Sequence, residues 1–363
     1  MSRFDLPQTL KPLRALSLAS IFLAALSCVP SNGPTTPTPP PAPPAPTYEV
    51  AAWAPWTHLG SVKKSLTDNM GTIDVAHLFW YWLDSDYRVK GRSYVDPQLV
   101  NTLRQNGVTI IPTVTDGFVN GRVLGTLSNS TRRSQHIQDL VDLVVKNNYD
   151  GVDLDYENIG ASGRDLFSAF VEDLAMELHR KNKLLSITVY SKSSSPGRWN
   201  TQKSHDYQRI GAAADRINVM SYGYGYAGGP PNPIGPVHYL EKNFAFAITK
   251  IPAKKIFLGI PFYGRDWAAG EKGKSLTHPS VASRIATYNP TISYESKNGE
   301  SSFTYTKSGV KHTVWFQSPQ GIADKMKVVT KYGLGGIAIW RLGNEDPRLW
   351  DSIRKGLKPG AGQ

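Results

Sequence analysis

The chain has 363 residues, of which 40% are hydrophobic and 10% aromatic, and it carries a formal net charge of +12. The hydrophobic content is ample for a large core, and the length suits two average domains or one α/β barrel with a tail. Because Cys28 is the only cysteine, internal disulfides are excluded and the core alone must hold the fold. The positive charge favours polyanionic surroundings such as a cell wall or anionic lipid headgroups, whereas the lack of a dense Lys/Arg run argues against nucleic acid as a partner.

The amino-terminal residues 1–27 have the pattern of a secretory signal peptide. Three basic residues precede an apolar run from Leu16 to Leu26, which is too short for a mature membrane anchor and ends in small residues. Cys28 then stands where a bacterial lipoprotein signal places its lipidated cysteine. We therefore expect an exported protein that a lipid anchor holds in the cell envelope. The alternative is an ordinary cleaved signal with an incidental cysteine, which would give a secreted protein.

The next segment, residues 28–47, is dominated by Pro, Thr and Ala. Such a composition favours extended polyproline II and cannot pack a core. We expect a semi-rigid linker here, followed by one globular domain at residues 48–358.

Strand-like apolar runs alternate with helical ones throughout that domain. The helical runs include one through 167–178, for which Ser162 and the three residues after it predict a capping box. Further helices are expected at 97–105, 131–146, 236–249, 320–331 and 347–357, with a short one through 210–213. The strands are expected at 48–53, 73–80, 108–114, 150–157, 184–189, 216–221, 255–260 and 336–340.

These strands, each followed by helical sequence and with no large second core, predict an α/β protein, a (β/α)8 TIM barrel. A polar stretch from about 268 to 311 alternates Tyr, Thr and Ser and predicts small extra strands inserted between strands 7 and 8. In this fold the chemistry takes place at the carboxyl ends of the strands.

The fourth strand, residues 150–157 (DGVDLDYE), has its carboxylates in alternation. Successive side chains point to opposite faces, so Asp153, Asp155 and Glu157 should share one face, spaced roughly 7 Å apart. Like charges this close raise each other's proton affinity, which favours a site that keeps a carboxylic acid protonated near neutral pH. The alternatives are a solvated acidic edge strand and a divalent-metal site, although three ligands on one strand make a poor cage.

The expected strand ends also carry many aromatic side chains. Because pyranose rings have apolar faces that stack on indole and phenol, an aromatic mouth around carboxylates is typical of sugar-polymer binding. For each aromatic taken singly, packing in the core is an equal explanation, and the grouping favours a binding role. The residues at these ends are Trp53, Trp56, Trp80, Trp82, Asp116, Glu157, Tyr190, Tyr222, Tyr263 and Trp340.

Four segments in order resemble glycoside hydrolase family 18, the chitinase-like enzymes. Residues 150–157 match the family's D-G-x-D-x-D-x-E signature, and residues 220–222 (MSY) match its M-x-Y. Residues 261–265 (PFYGR) and 335–340 (GGIAIW) match its seventh and eighth strands. The similarity spans roughly residues 48–357, the whole expected domain.

The resemblance implies a retaining, substrate-assisted mechanism. Glu157 would protonate the glycosidic oxygen and later activate water, while the 2-acetamido oxygen of the sugar attacks and gives an oxazolinium intermediate. Asp155 would bind the acetamido N–H and stabilise the developing charge, and Asp153 would share a proton with it. Tyr222 would orient the acetamido carbonyl, and Trp340 would form the floor under the reacting sugar.

The resemblance also implies a wider substrate-binding set and no metal or other cofactor. The substrate would be an N-acetylated polysaccharide, which excludes cellulose and xylan, and we expect a monomer. The expected substrate contacts are Trp340, Tyr263, Met220, Asp116, Trp80 and Arg265.

Two departures from the family pattern bear on the substrate. Gly223 follows Tyr222 where the family usually has an acidic residue, so one contact to substrate or water is in doubt. On the third strand, residues 113–116 (TVTD) replace the S-x-G-G of chitinases and are more similar to the spore-germination and peptidoglycan N-acetylglucosaminidase branch. We expect cleavage of β-1,4 bonds in N-acetylglucosamine glycans, with peptidoglycan slightly ahead of chitin. The alternative is a catalytically weak, lectin-like binding protein on the same barrel.

Overall fold

The structure, a computed structural model, describes residues 47–93 and 95–358. The predicted leader, the lipidation at Cys28 and all but the last residue of the Pro-rich linker lie outside these residues and stay predictions. Within the described ranges no helix is both long and apolar enough to span a membrane.

Among the described residues the strands form two sheets, one of eleven strands and one of five. In chain order they are β1 (Glu49–Pro55), β2 (Val75–Phe79), β3 (Tyr81–Leu83), β4 (Val89–Gly91), β5 (Thr109–Ile110), β6 (Thr113–Thr115), β7 (Gly151–Asp155), β8 (Leu184–Tyr190), β9 (Arg216–Met220), β10 (Ile256–Pro261), β11 (Gly264–Ala268), β12 (Lys274–Leu276), β13 (Ser293–Glu295), β14 (Glu300–Lys307), β15 (Val310–Phe316) and β16 (Gly336–Trp340).

The larger sheet closes into a barrel, which confirms the predicted (β/α)8 fold. Its order is β4-β3-β6-β7-β8-β9-β10-β16-β1-β2-β5. The predicted third strand is split by Ile111 and Pro112 into β5 and β6, and β5 pairs with β2 while β6 pairs with β3. All five residues of β7 are buried, as is usual for parallel strands that are covered on both faces.

Helices cover the outside of the barrel, and one more, the ninth in chain order, lies in the insertion between strands 7 and 8. They are α1 (Leu59–Asp68), α2 (Pro97–Gln105), α3 (Arg122–Leu127), α4 (Ser130–Lys146), α5 (Arg164–His179), α6 (Asn200–Lys203), α7 (Tyr207–Ala213), α8 (Val237–Ala247), α9 (His278–Tyr288), α10 (Pro319–Lys331) and α11 (Arg348–Leu357).

The beginnings of these helices test the capping predictions. Asp96 caps α2 by accepting hydrogen bonds from the backbone N–H groups of Gln98 and Leu99, and Pro97 occupies the first turn. The capping box expected at Ser162 is wrong. Ser162 lies inside a 3-10 turn, Ala161–Gly163, so Gly163 occupies the N-cap position of α5 and no side chain caps the helix.

The insertion between the seventh and eighth barrel strands is larger than expected. It begins at β11 and ends at β15, and its sheet has the order β12-β11-β15-β14-β13. The helix α9 in this segment was not predicted, and Val281 is its only buried residue. The insertion has a small core of its own, formed by Leu276, Val281, Phe303, Tyr305 and Val314.

Candidate active site

The side chains along β7 point alternately toward the helices and toward the barrel interior. Val152, Leu154 and Tyr156 are fully buried in the core between the sheet and the helices. The Tyr156 hydroxyl lies 2.7 Å from Nε2 of His136 on α4, so this face is fixed from outside the barrel. The carboxylates of Asp153 and Asp155 therefore point into the barrel, as the alternation predicts.

Asp153 lies deepest and is fully buried. Its two oxygens accept hydrogen bonds from side chains on four other strands, so both oxygens of this buried carboxylate have partners. The donors are Trp53 Nε1 at 3.3 Å, Thr113 Oγ1 at 2.9 Å, Ser186 Oγ at 2.7 Å, Thr188 Oγ1 at 3.2 Å and Asn218 Nδ2 at 3.2 Å.

Asp155 lies one layer higher and is only 6% exposed. Its Oδ1 is buried and has no hydrogen-bond partner within the described part of the chain. Burial raises the pKa of Asp155 well above the ordinary carboxyl value, and the charges of Glu157, Asp153 and Asp116 raise it further. An unpaired buried oxygen of this kind is costly unless a ligand supplies the missing partner.

Glu157 follows β7 directly and stands at the rim. The Tyr190 hydroxyl at the end of β8 donates a hydrogen bond of 2.5 Å to its Oε2. Burial raises the pKa of Glu157, the bond from Tyr190 opposes this, and the charge of Asp116 adds to the rise. The carboxyl therefore keeps its proton to a higher pH than an ordinary glutamic acid, as a general acid requires.

Asp116 does not lie where a substrate contact was expected. It is fully buried, and its oxygens accept hydrogen bonds from the backbone N–H groups of Phe118, Glu157 and Asn158. The carboxylate is occupied by the chain that follows β7. Asp116 therefore positions the segment that carries Glu157 and does not face the cavity.

Trp80 is the second expected contact that the structure places elsewhere. It is 2% exposed and packs in the core under the helices, because the strand is interrupted at this residue, between β2 and β3. Phe79, one residue earlier, faces the barrel mouth and packs edge-on against Trp340, with ring centroids 5.2 Å apart.

The mouth of the barrel holds a cavity of about 300 Å³. It brings together the predicted Asp155, Glu157, Met220, Tyr222 and Trp340. The residues that line it are Trp53, Phe79, Phe118, Asp155, Glu157, Thr188, Tyr190, Met220, Tyr222 and Trp340. Two carboxyl groups with raised pKa thus face one aromatic chamber of the size of a sugar ring or two.

Tyr263 and Arg265 stand beside this cavity without lining it. The Tyr263 ring meets Tyr222 edge-on, with centroids 6.4 Å apart, so it supports a lining residue from behind. Burial raises the pKa of Tyr263 to about 12, and the nearby Arg265 limits the rise.

Five lining residues were not among the expected catalytic and substrate-binding residues. They are Trp53, Phe79, Phe118, Thr188 and Tyr190. Tyr190 ends β8, so the strand-end rule named it without giving it a role. Thr188 precedes it by two and shares its face of the strand. Phe118 is 51% exposed on a loop after β6 and has a φ of 56°, and no periodicity in the sequence marks such a residue.

Asp155 and Glu157, at the end of the fourth strand of a (β/α)8 barrel, face an aromatic cavity, and this is the arrangement expected of an enzyme that acts on sugars. Residues 116–345 of the chain match the glycosyl hydrolases family 18. The chain belongs to this family.

The chain is similar to a bacterial glycosylase, a cortical fragment-lytic enzyme and a chitinase. YdhD of Bacillus subtilis, assigned as a sporulation-specific glycosylase, is 31% identical over 256 residues, which cover 68% of this chain and 60% of YdhD. The cortical fragment-lytic enzyme of Bacillus subtilis is 29% identical over 238 residues, covering 63% of this chain and 54% of the enzyme. The crystal structure of a chitinase from Chromobacterium violaceum superposes with a TM-score of 0.81 at 25% identity, over 86% of this chain and 99% of the chitinase.

Proposed function

We propose that this protein is a retaining glycoside hydrolase that cleaves β-1,4 bonds next to N-acetylglucosamine. The observation that carries the proposal is the pair at the barrel mouth. Glu157 has a raised pKa and faces the cavity, and Asp155 beside it has a buried oxygen without a partner.

The reaction follows from the chemistry of these two groups. Glu157 gives its proton to the glycosidic oxygen, and the C1–O bond to the leaving sugar breaks. The acetamido oxygen of the retained sugar forms the new bond to C1, which gives an oxazolinium ion. Asp155 accepts a hydrogen bond from the acetamido N–H and stabilises the positive charge. Glu157, now a carboxylate, takes a proton from a water molecule. The water oxygen attacks C1 from the face that the leaving sugar occupied, which opens the oxazolinium ring. Glu157 is then protonated again, as at the start.

Asp153 supports this step from below. Five side chains donate hydrogen bonds to its carboxylate, and its charge helps to raise the pKa of Asp155. As positive charge develops on the acetamido group, Asp155 can release its share of the proton toward Asp153, so the two act as one coupled unit. Tyr222 lines the cavity and supplies a hydroxyl for the acetamido carbonyl, and Trp340 supplies a flat apolar surface for the sugar ring.

The proposed substrate is an N-acetylated glycan of the peptidoglycan or chitin type. The names of the relatives support this range, since they include a cortical fragment-lytic enzyme and a chitinase. The chain spans only 54–60% of the two curated relatives, so their whole activity is not transferred to it.

The test is Glu157→Gln, with release of reducing ends from chitooligosaccharides and from purified peptidoglycan as the readout. We expect a loss of about 10³-fold or more in turnover, with glycan binding kept, because the amide cannot supply the proton. Glu177→Gln on the exposed face of α5 is the matched control. Undiminished turnover in the Glu157 variant would refute the mechanism. No turnover in the wild type, together with intact glycan binding, would favour a lectin-like protein instead.

A further inference from the structure

A second and larger groove lies at the same end of the barrel as the active-site cavity. It has a volume of about 770 Å³ and is formed by the segments that follow β8 and β9, together with one face of α8. Tyr190 and Tyr222 line the active-site cavity, while Lys192 and Gly223, just after them in the chain, line this groove. The groove is therefore placed to take the neighbouring units of a polymer that reacts at Glu157.

Exposed aromatic rings mark the groove as a binding surface. Trp199 and Tyr226 are each 58% exposed, and Tyr224 is 42% exposed. Large apolar side chains left in water side by side usually serve a ligand. Sugar rings are suitable partners, because their C–H faces stack on indole and phenol.

The charged residues that line the groove are all positive. Arg198 and Lys242 are exposed in its wall, and no Asp or Glu is among its lining residues. Neither cation has a carboxylate oxygen within 4.0 Å among residues 47–93 and 95–358. The Arg198 guanidinium lies over the Trp199 ring, 4.7 Å from its centroid, so one cation and one stacking surface form a unit.

Two further lining residues are buried, and only one of them has hydrogen-bond partners for its side-chain nitrogen in the part of the chain that the structure describes. The Lys192 ammonium is buried and donates to the carbonyl oxygens of Pro196, Gln202 and His205, so it holds the loop and offers nothing to a ligand. Asn243 is 2% exposed, and its Nδ2 is buried without an acceptor within the described residues. An acceptor oxygen of a ligand in the groove would satisfy this donor.

We propose that this groove binds a carboxylate-bearing part of the glycan, on units beyond the sugar that reacts. The inference rests on the proposed function and narrows its substrate class from any N-acetylated glycan to an anionic one. Trp199, Tyr224 and Tyr226 stack on sugar or side-group carbon, while Arg198 and Lys242 pair with the carboxylate. Neutral chitin would use the aromatic surface and leave both cations without a counter-charge.

Binding can be measured apart from turnover by using the Glu157→Gln protein in calorimetric titrations at low salt. The three probes are a neutral chitooligosaccharide, peptidoglycan glycan strands stripped of peptide, and strands of equal length with peptides attached. We expect one or both carboxylate-bearing strands to bind about fivefold or more tightly than the neutral oligomer, with the preference falling as salt screens the charges. Tighter binding of stripped strands would assign the carboxylate to the sugar, and tighter binding of intact strands to the peptide.

The double substitution Arg198→Gln with Lys242→Gln should remove that preference. Lys307→Gln is the control, because Lys307 is exposed on the insertion sheet and does not line the groove, so this change should leave the preference intact. Equal affinity for all three probes, no binding of any probe, or a preference that survives the double substitution would overturn the inference. The proposed function fails on a different result, the absence of reducing ends with the unsubstituted protein.

Discussion

Two fully or nearly buried carboxylates in this protein have opposite surroundings. Glu300, on β14 of the insertion, accepts hydrogen bonds from the backbone N–H groups of Ile234 and Gly235 at 2.6 and 2.7 Å. It also receives one from the buried Lys325 ammonium on α10 at 3.0 Å. Every part of its charge is matched, and it joins the insertion to the loop after β9.

Asp155, at the barrel mouth, has no such compensation. Its Oδ1 has no partner in the described structure, and the charges nearest to it are those of other carboxylates. A buried charge that has hydrogen-bond and ion-pair partners can hold parts of a structure together. A buried charge without partners costs stability, and proteins retain such a group where a ligand or a reaction uses it. The contrast separates a structural carboxylate from a functional one without reference to any relative.

Lys325→Met should produce the largest effect on stability. It leaves the Glu300 carboxylate buried with two backbone donors but no cation, which costs roughly 3–5 kcal/mol. Thermal unfolding followed by circular dichroism measures the loss. The double variant Glu300→Gln with Lys325→Met should recover much of it, because no unpaired charge remains. A single variant as stable as the wild type would show that the pair does not hold the insertion in place.

Asp155→Asn should have the reverse profile, with lower activity and higher stability. Turnover should fall about 10²–10³-fold, because the amide cannot balance the positive charge of the oxazolinium ion. Since burial and like charges raise the pKa of Asp155, its ionisation opposes folding once the pH exceeds the unfolded value of about 3.9.

The stability gain of Asp155→Asn should therefore depend on pH. The variant should melt higher than the wild type at pH 7, by about 2 °C or more, and the difference should vanish as the pH falls toward 4. Paired melting curves across this range measure it. A variant less stable than the wild type at pH 7 would place Asp155 with Glu300 as a structural carboxylate.

The sequence predicted features that follow from strand alternation, and it missed features that depend on the exact position of one residue. Alternation along β7 was enough to place Asp153 and Asp155 inside the barrel, because a strand's two faces follow from its period. The predictions of a capping box at Ser162 and of a substrate contact at Trp80 did not hold, because each depended on the exact position of a single residue. A 3-10 turn shifted the start of α5, and a break after β2 turned Phe79, not Trp80, toward the cavity.

The long-range partners could not be read from the sequence. Thr113, Ser186 and Asn218 all serve Asp153, yet they are separated from it by 40, 33 and 65 residues. Asp116 stood at the end of an expected strand, and only the fold shows that its carboxylate is turned to the backbone near Glu157. Strand register decides such contacts, and composition and period do not fix register between distant strands.

Tyr190→Phe should give the smallest effect and the sharpest test of Glu157 as the proton donor. The lost hydroxyl stabilises the Glu157 carboxylate, so its removal raises the pKa of Glu157 further. The acid must be protonated to act, and activity falls as the pH rises through that pKa. The alkaline limb of the kcat/KM profile should therefore move to higher pH, while turnover at the optimum falls about tenfold or less. A limb that stays in place or moves to lower pH would mean that a group other than Glu157 gives up the proton.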